Sequence, residues 1–286
     1  MEINGKTKLM GLIGNPVEHT MSPVIHNTIA AHMNENMAYL PFPVKDNLNT
    51  AVKGAYALGV QGMNVTVPYK SDVMSSLISV DEQAAVIGAV NTLVRCDGGY
   101  KGYNTDLPGL YRAMKSDGIE LKDAKVVILG AGGAARSAAF LCAFHKAKEV
   151  YILNRTVEKA VLVAEEVKEK TGFTEVKVMS LADYDKLPGD GYLCIQATKV
   201  GLYPNVEDTP VNEPAFFKKL TALYDLIYTP WETKCMKLAK ENGAAAYNGL
   251  KMLLYQGVAA YEMWNQTTVP EEIITFAYEE LLKKVK

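Results

Sequence analysis

The stretch Val126–Ala139, VVILGAGGAARSAA, restricts the fold of this chain more than any other. Val126–Leu129 is a continuous apolar run, the pattern of a strand covered on both faces. Gly130-Ala131-Gly132-Gly133-Ala134-Ala135 interrupts it, and an Ala-rich helix is expected to follow to about Lys146. Strand, glycine turn and helix in that order match G-x-G-x-x-A, a dinucleotide-binding turn. Gly130 permits the tight turn, Gly132 lets a pyrophosphate approach the backbone, and Ala135 lets helix and strand pack closely. Gly130, Ala131, Gly132, Gly133 and Ala134 are the candidate phosphate ligands, through N–H groups that no helical carbonyl can satisfy.

The next expected strand, Glu149–Leu153, sharpens the choice of nucleotide. An NAD-binding chain often carries Asp or Glu at its end, to hold the ribose hydroxyls. Here the residues are Asn154-Arg155-Thr156. A carboxylate would repel a 2′-phosphate, whereas Arg155 offers it a planar fork of donors. Lys159, one turn into the expected helix Val157–Lys170, adds a second positive charge. The pattern favours NADP over NAD.

Elsewhere strand and helix patterns alternate, which predicts an α/β fold with a largely parallel sheet. Strands are expected at Lys8–Gly14, Ala38–Pro43 and Gly62–Val67, the last stopped by Pro68. A hairpin is expected from Val90–Arg95 and Tyr100–Tyr103, turning at Asp97-Gly98-Gly99. Further strands read at Leu193–Ala197 and Leu223–Leu226. Helices read at Leu48–Gly59, Asp81–Ile87 and Lys234–Asn242, and from Leu250 onward with a break at Pro270. Ser22-Pro23 opens another, with Ser22 as N-cap, running to about Asn36.

At 286 residues the chain has room for two domains. Its formal net charge of -2, with no basic cluster, argues against a nucleic-acid partner. The four cysteines form no C-x-x-C pair and no Cys/His cluster occurs, so reduced thiols and no metal site are expected. No apolar run approaches the ~18 residues of a membrane span, and the N-terminus lacks the apolar core of a signal peptide. The protein is therefore expected to be cytoplasmic, with no membrane partner.

Polar residues in the first half gather in four strings: GNPVEHTMSPVIHN (Gly14–Asn27), NVTVPYK (Asn64–Lys70), GAVNT (Gly88–Thr92) and GYNTD (Gly102–Asp106). Each falls at a strand end or helix start, where open α/β sheets bind ligands. They supply the hydroxyls of Thr20, Ser22 and Thr66, the amides of Asn64 and Asn91, the ammonium of Lys70 and the carboxylate of Asp106. That set suits a small polyhydroxylated acid. Hydroxyls and a helix N-terminus hold a carboxylate, while amides and Asp106 fix ring hydroxyls. Asp106 and Ser22 are also candidate helix caps, and His19 and His26 are assigned packing and helix-start roles.

Taken together, these strings resemble the shikimate dehydrogenase family over nearly the whole chain. The resemblance implies an N-terminal substrate domain and a Rossmann-type NADP domain with a cleft between them. The expected boundaries are 1–106, completed by the C-terminal helices 250–286, and 107–249. MLLYQG (Met252–Gly257) resembles the family's C-terminal substrate motif and implicates Gln256. YDLIYTPWET (Tyr224–Thr233) resembles the segment beside the nicotinamide and implicates Tyr228 at the substrate carboxylate. Gly249 joins Asn154, Arg155, Thr156 and Lys159 in the implied cofactor set. Lys70 and Asp106 are the implied catalytic pair, Lys70 giving a proton to the oxygen of the reduced ketone and Asp106 orienting it. The substrate would be shikimate or 3-dehydroshikimate, and the assembly a monomer or homodimer.

Thr20 departs from the Ser common in the family's carboxylate motif, and its extra methyl narrows the pocket. ATKVGLYP (Ala197–Pro204) resembles a branch that accepts quinate and NAD. Three rivals follow: a quinate/shikimate dehydrogenase using either nucleotide, a non-catalytic NADP-binding sensor, and a folate-linked dehydrogenase of similar layout.

Overall fold

The computed structural model describes residues 3–285. They cluster into two compact units: the chain up to Leu110 together with Leu253–Lys284, and Tyr111–Met252.

The first unit is built on β1 (Lys8–Gly14), β2 (Met37–Pro43), β3 (Gly62–Val65), β4 (Ser79–Val80), β5 (Thr92–Cys96) and β6 (Gly99–Tyr103). Their order across the sheet is β2-β1-β3-β5-β6-β4. β1 pairs in parallel with β2 and β3, whereas β5 runs antiparallel to β3 and β6. The sheet is thus mixed, and the hairpin turns through Gly98 at φ +83, a left-handed conformation that glycine tolerates. Strand β3 ends at Val65, two residues before the expected Val67.

Helix α1 (Ser22–His32) differs from expectation at both ends. Its N-cap is Met21, not Ser22, and no side chain caps it. Instead Thr20 Oγ1 accepts the Ser22 N–H at 3.3 Å. The helix stops at His32 rather than Asn36 because Asn34 takes φ +56. The Asn34 and Glu35 N–H groups then bond the carbonyls of Ala31 (3.3 Å) and Ala30 (2.9 Å). That is a Schellman closure with Asn in the glycine position.

Helices α2 (Leu48–Ala57) and α3 (Glu82–Ile87) follow, then α4 (Asp106–Ser116), which begins in the first unit and ends in the second.

The second unit contains β7 (Lys125–Leu129), β8 (Glu149–Asn154), β9 (Val176–Ser180), β10 (Tyr192–Gln196), β11 (Leu220–Asp225) and β12 (Ala245–Tyr247). All are parallel, in the order β9-β8-β7-β10-β11-β12. This is the doubly wound arrangement whose strand order reverses beside the first strand. Val126–Leu129 are fully buried, as a strand covered on both faces requires. The connecting helices are α5 (Gly133–Phe144), α6 (Val157–Thr171), α7 (Pro214–Phe217) and α8 (Lys234–Glu241). Ala135, Ala138 and Ala139 are fully buried, and their small side chains let α5 lie close against β7 and β10. Arg136 on α5 forks onto Glu166 on α6 at 2.5 Å. With Lys170 alongside, that pairing pulls the Glu166 carboxyl down to about 2.

Helix α9 (Leu250–Asn265) crosses the division between the units, and α10 (Glu271–Val285) follows the break at Pro270. Within the first unit α9 lies almost on the backbone of β3 and of α4. A Cβ on Gly62 would sit 2.3 Å from Trp264 Nε1, and one on Gly109 2.6 Å from the Gln256 amide nitrogen. Trp264 Nε1 donates to the Leu93 carbonyl at 2.9 Å. Beneath it, His26 is fully buried, stacked on Tyr39 at 4.2 Å and tilted against Trp264 at 4.9 Å.

Two outcomes follow for stability. Gly62→Ala must displace Trp264 and its hydrogen bond, so it should cost about 2–4 kcal/mol in urea unfolding; Gly54→Ala, where a Cβ meets nothing, serves as control. Burial pulls His26 from 6.5 down to about 3, so between those values the unfolded chain binds a proton that the folded chain excludes. Stability should therefore fall as pH drops through that window, by up to about 1.4 kcal/mol per unit from this residue. The difference between wild type and His26→Gln in urea midpoints at pH 7, 6 and 5 measures it, the variant showing the shallower slope.

Candidate active site

In the first unit, the ends of β3, β5 and β6 bring the polar strings of the sequence together. Lys70 Nζ donates to Asp106 Oδ2 at 2.6 Å, and Asn91 Nδ2 donates to Asp106 Oδ1 at 2.9 Å. Both carboxylate oxygens are thus engaged, one by a cation and one by an amide. The pair is not sealed off: the Lys70 side chain is 33% exposed and that of Asp106 16%.

Asp106 is the first residue of α4, but it does not cap it. Asn104 Oδ1 accepts the N–H groups of Asp106 (3.0 Å) and Leu107 (3.4 Å), which leaves the Asp106 carboxylate for Lys70. Asn104 Nδ2 also donates to the Ala89 carbonyl at 3.0 Å, tying the start of α4 to the segment that carries Asn91.

Asn91 is itself fixed. Its Oδ1 accepts the Thr105 N–H at 2.7 Å and the Thr92 hydroxyl at 3.1 Å. Its Nδ2 keeps one hydrogen beyond the bond to Asp106. Asn64 is as buried as Asn91, each 3% exposed, and its amide is engaged on both sides. Its Oδ1 takes Tyr39 Oη at 2.7 Å and His26 Nε2 at 3.2 Å. Its Nδ2 reaches the Asn91 carbonyl and Thr92 Oγ1, both at 3.2 Å. Hydrogen bonds therefore run without a break from His26 and Tyr39 through Asn64, Thr92, Asn91 and Asp106 to Lys70.

Thr20 and Ser22 sit together before α1, the Thr20 hydroxyl donating to Ser22 Oγ at 3.3 Å. Thr66 is half-buried after β3, its methyl filling the space beside Gly14. Gln256 is 9% exposed, its Nε2 donating to the Leu253 carbonyl at 2.9 Å. His26 packs as the sequence led one to expect, whereas His19 is exposed.

In the second unit the glycine turn joins β7 to α5. Gly130 has φ +111, and α5 starts behind Gly132 with no side chain capping it. A Cβ on Gly132 or Gly133 would meet nothing within 4 Å. Ala131 and Ala134 flank these residues, so the uncapped N–H groups look onto open space of the kind a pyrophosphate fills. After β8, Asn154 Nδ2 donates to the Thr156 carbonyl at 2.7 Å and curls the turn, leaving Arg155, Thr156 and Lys159 exposed. Arg155 borders an open groove of about 540 Å³ with Ser180, Tyr184, Pro210 and Glu213. These groups fit a phosphorylated dinucleotide. Tyr228 is half-buried in the segment after β11, and burial pushes its hydroxyl pKa up. Gly249 donates its N–H to the Ile227 carbonyl at 3.1 Å; a Cβ there would strike the Leu226 carbonyl oxygen at 2.2 Å.

Among the described residues, no group of three or more His, Cys, Asp or Glu could hold a metal, and no helix is long and apolar enough to cross a membrane. The sequence reading missed Tyr39, Thr92, Asn104 and Thr105. Thr92, Asn104 and Thr105 lie inside strings already singled out, and Tyr39 in the expected strand Ala38–Pro43, where residue type alone does not set them apart.

Comparison with known proteins gives the family. Residues 12–93 match the shikimate dehydrogenase substrate binding domain, residues 112–199 the shikimate / quinate 5-dehydrogenase family, and residues 249–275 the shikimate 5′-dehydrogenase C-terminal domain. A shikimate dehydrogenase (NADP(+)) of Methanothermobacter thermautotrophicus is 39% identical over 99% of both chains. Its counterpart from Methanocaldococcus jannaschii is 44% identical over 92% of this chain and 93% of its own. A crystal structure of a shikimate dehydrogenase in complex with NADP+ superposes with a TM-score of 0.90 at 40% identity, covering 100% of this chain and 98% of the other. The chain belongs to the shikimate dehydrogenase family.

Proposed function

We propose that this protein is an NADP-dependent shikimate dehydrogenase, reversibly reducing the ring ketone of 3-dehydroshikimate to shikimate in the biosynthesis of aromatic amino acids. The observation that carries the reading is the Asp106 carboxylate, held by Asn91 on one oxygen and by Lys70 on the other. That arrangement presents an ammonium at the mouth of a polar site, oriented and still reachable, as proton transfer to a ring oxygen requires.

In this reading residues 1–106 with 250–286 take the substrate and residues 107–249 take NADP. When bound, NADPH supplies the hydride that reduces the ketone carbon. Lys70 gives its proton to the ring oxygen and recovers it in the oxidation. Asp106 aims the ammonium, and the remaining amide hydrogen of Asn91 holds a ring hydroxyl. Thr20, Ser22 and Tyr228 receive the substrate carboxylate, and Asn64, Thr66 and Gln256 complete the wall around the ring. Gly130, Ala131, Gly132, Gly133 and Ala134 cradle the pyrophosphate. Asn154, Arg155, Thr156 and Lys159 receive the 2′-phosphate, and Gly249 belongs to the same cofactor set. The enzyme would work in the cytoplasm, as a monomer or homodimer.

The test is absorbance at the reduced-nicotinamide band with shikimate or quinate and NADP or NAD. Turnover should be fastest with shikimate and NADP. No turnover with any pair would leave the sensor or folate-linked readings, and faster turnover of quinate with NAD would overturn the specificity. In Lys70→Ala kcat should fall about 10²–10⁴-fold with KM for shikimate within a few-fold, since proton transfer is lost but the binding groups stay. Arg155→Ala should raise KM for NADP about 10–100-fold, the worth of a charge-assisted phosphate contact, and leave KM for NAD unchanged. Equal effects on both nucleotides would reject a 2′-phosphate contact.

A further inference from the structure

Gln196 and Asp225 are the last residues of β10 and β11, paired in register and both fully buried. Each turns its side chain onto the loop that follows it. Gln196 Oε1 accepts the Thr198 N–H at 2.6 Å, and its Nε2 donates to the Val200 carbonyl at 3.1 Å. Asp225 Oδ1 accepts the Ile227 N–H at 3.0 Å, and Oδ2 accepts the Thr233 hydroxyl at 2.6 Å. Thr233 Oγ1 in turn accepts the Met236 N–H at 3.2 Å, capping α8. One carboxylate therefore ties both ends of the segment 226–233, and Tyr228 lies between the ties.

Among the described residues no Lys or Arg pairs with Asp225, and its ionisable neighbours are the buried thiols Cys194 and Cys235. Burial pushes its carboxyl pKa up to about 6, against the pull of its two hydrogen bonds. A buried charge without a cation weakens a fold, and an uncharged side chain of equal size would serve the core better. Groups that cost stability where a neutral one would do are found where function sets the geometry.

We propose that Asp225 is a positioning residue that sets Tyr228 for the substrate by tying the two ends of its loop to one carboxylate. This rests on the functional reading above, which assigns Tyr228 to the substrate carboxylate. Asp225→Asn keeps the size but can accept only one of the two bonds. It should melt at or above the wild-type temperature at pH 8, while kcat/KM for shikimate falls at least tenfold, mostly through KM. In a Tyr228→Phe background the same substitution should change kcat/KM by less than twofold, because the tie acts through the Tyr228 hydroxyl. Thr233→Val should reproduce the loss and Thr233→Ser should retain wild-type activity, and this pair decides the matter if Asp225→Asn does not fold. Full activity in both Asp225→Asn and Thr233→Val, or losses additive with Tyr228→Phe, would overturn the proposal. Amide hydrogen exchange across residues 226–232 reads the tie without turnover and should quicken in Asp225→Asn and Thr233→Val. A wild type inert towards shikimate and NADP would refute the proposed activity, and unchanged exchange would then separately overturn the tie.

Discussion

The polar site of the first unit depends on one carboxylate serving two donors. Asp106 can hold Lys70 and Asn91 together only because Asn104 takes over the capping of α4, and because Asn91 is locked by Thr105 and Thr92. Removing any of these partners would leave a polar group part-buried and unsatisfied, which costs more than the hydrogen bond itself contributes. The network behind them, reaching through Asn64 to Tyr39 and His26, converts a loose cluster of loop residues into a fixed wall. Preorganisation of this kind gives the Lys70 ammonium a set direction.

The two units meet the same problem with different chemistry. The first needs many directed polar groups, so it gathers them at strand ends and spends buried amides to aim them. The second needs exposed N–H groups and space, so it removes side chains: glycines in the turn, alanines along α5, and no cap at the helix start.

Much of this was legible in the sequence because the decisive elements carry strong local signals. Val126–Leu129 followed by the glycine turn admits few structures, and the end of β8 announced itself through Asn154-Arg155-Thr156. The elements not foreseen are those whose signals are tertiary. β9 and β12 are short edge strands, VKVMS and AAY, with too little apolar alternation to stand out from their surroundings. The end of α1 was misplaced because an Asn, not a Gly, adopts the left-handed closing position. Ser22 looked like a cap, yet Thr20 supplies the hydroxyl that meets its N–H. In the site, residue types pointed to Lys70, Asp106 and Asn91. The relay through Tyr39 and Thr92 exists only once the strands are in register.

The hydrogen bond from Trp264 to the Leu93 carbonyl joins positions 171 residues apart. Between them in the chain lies the whole second unit. On the ribosome, the first unit's sheet must therefore emerge and wait, without α9 over Gly62, while Tyr111–Met252 is synthesised and can close its own parallel sheet. Closure of so long a loop is entropically slow. During that interval the surface that Trp264 covers, at Gly62, His26 and Tyr39, stands open to other chains.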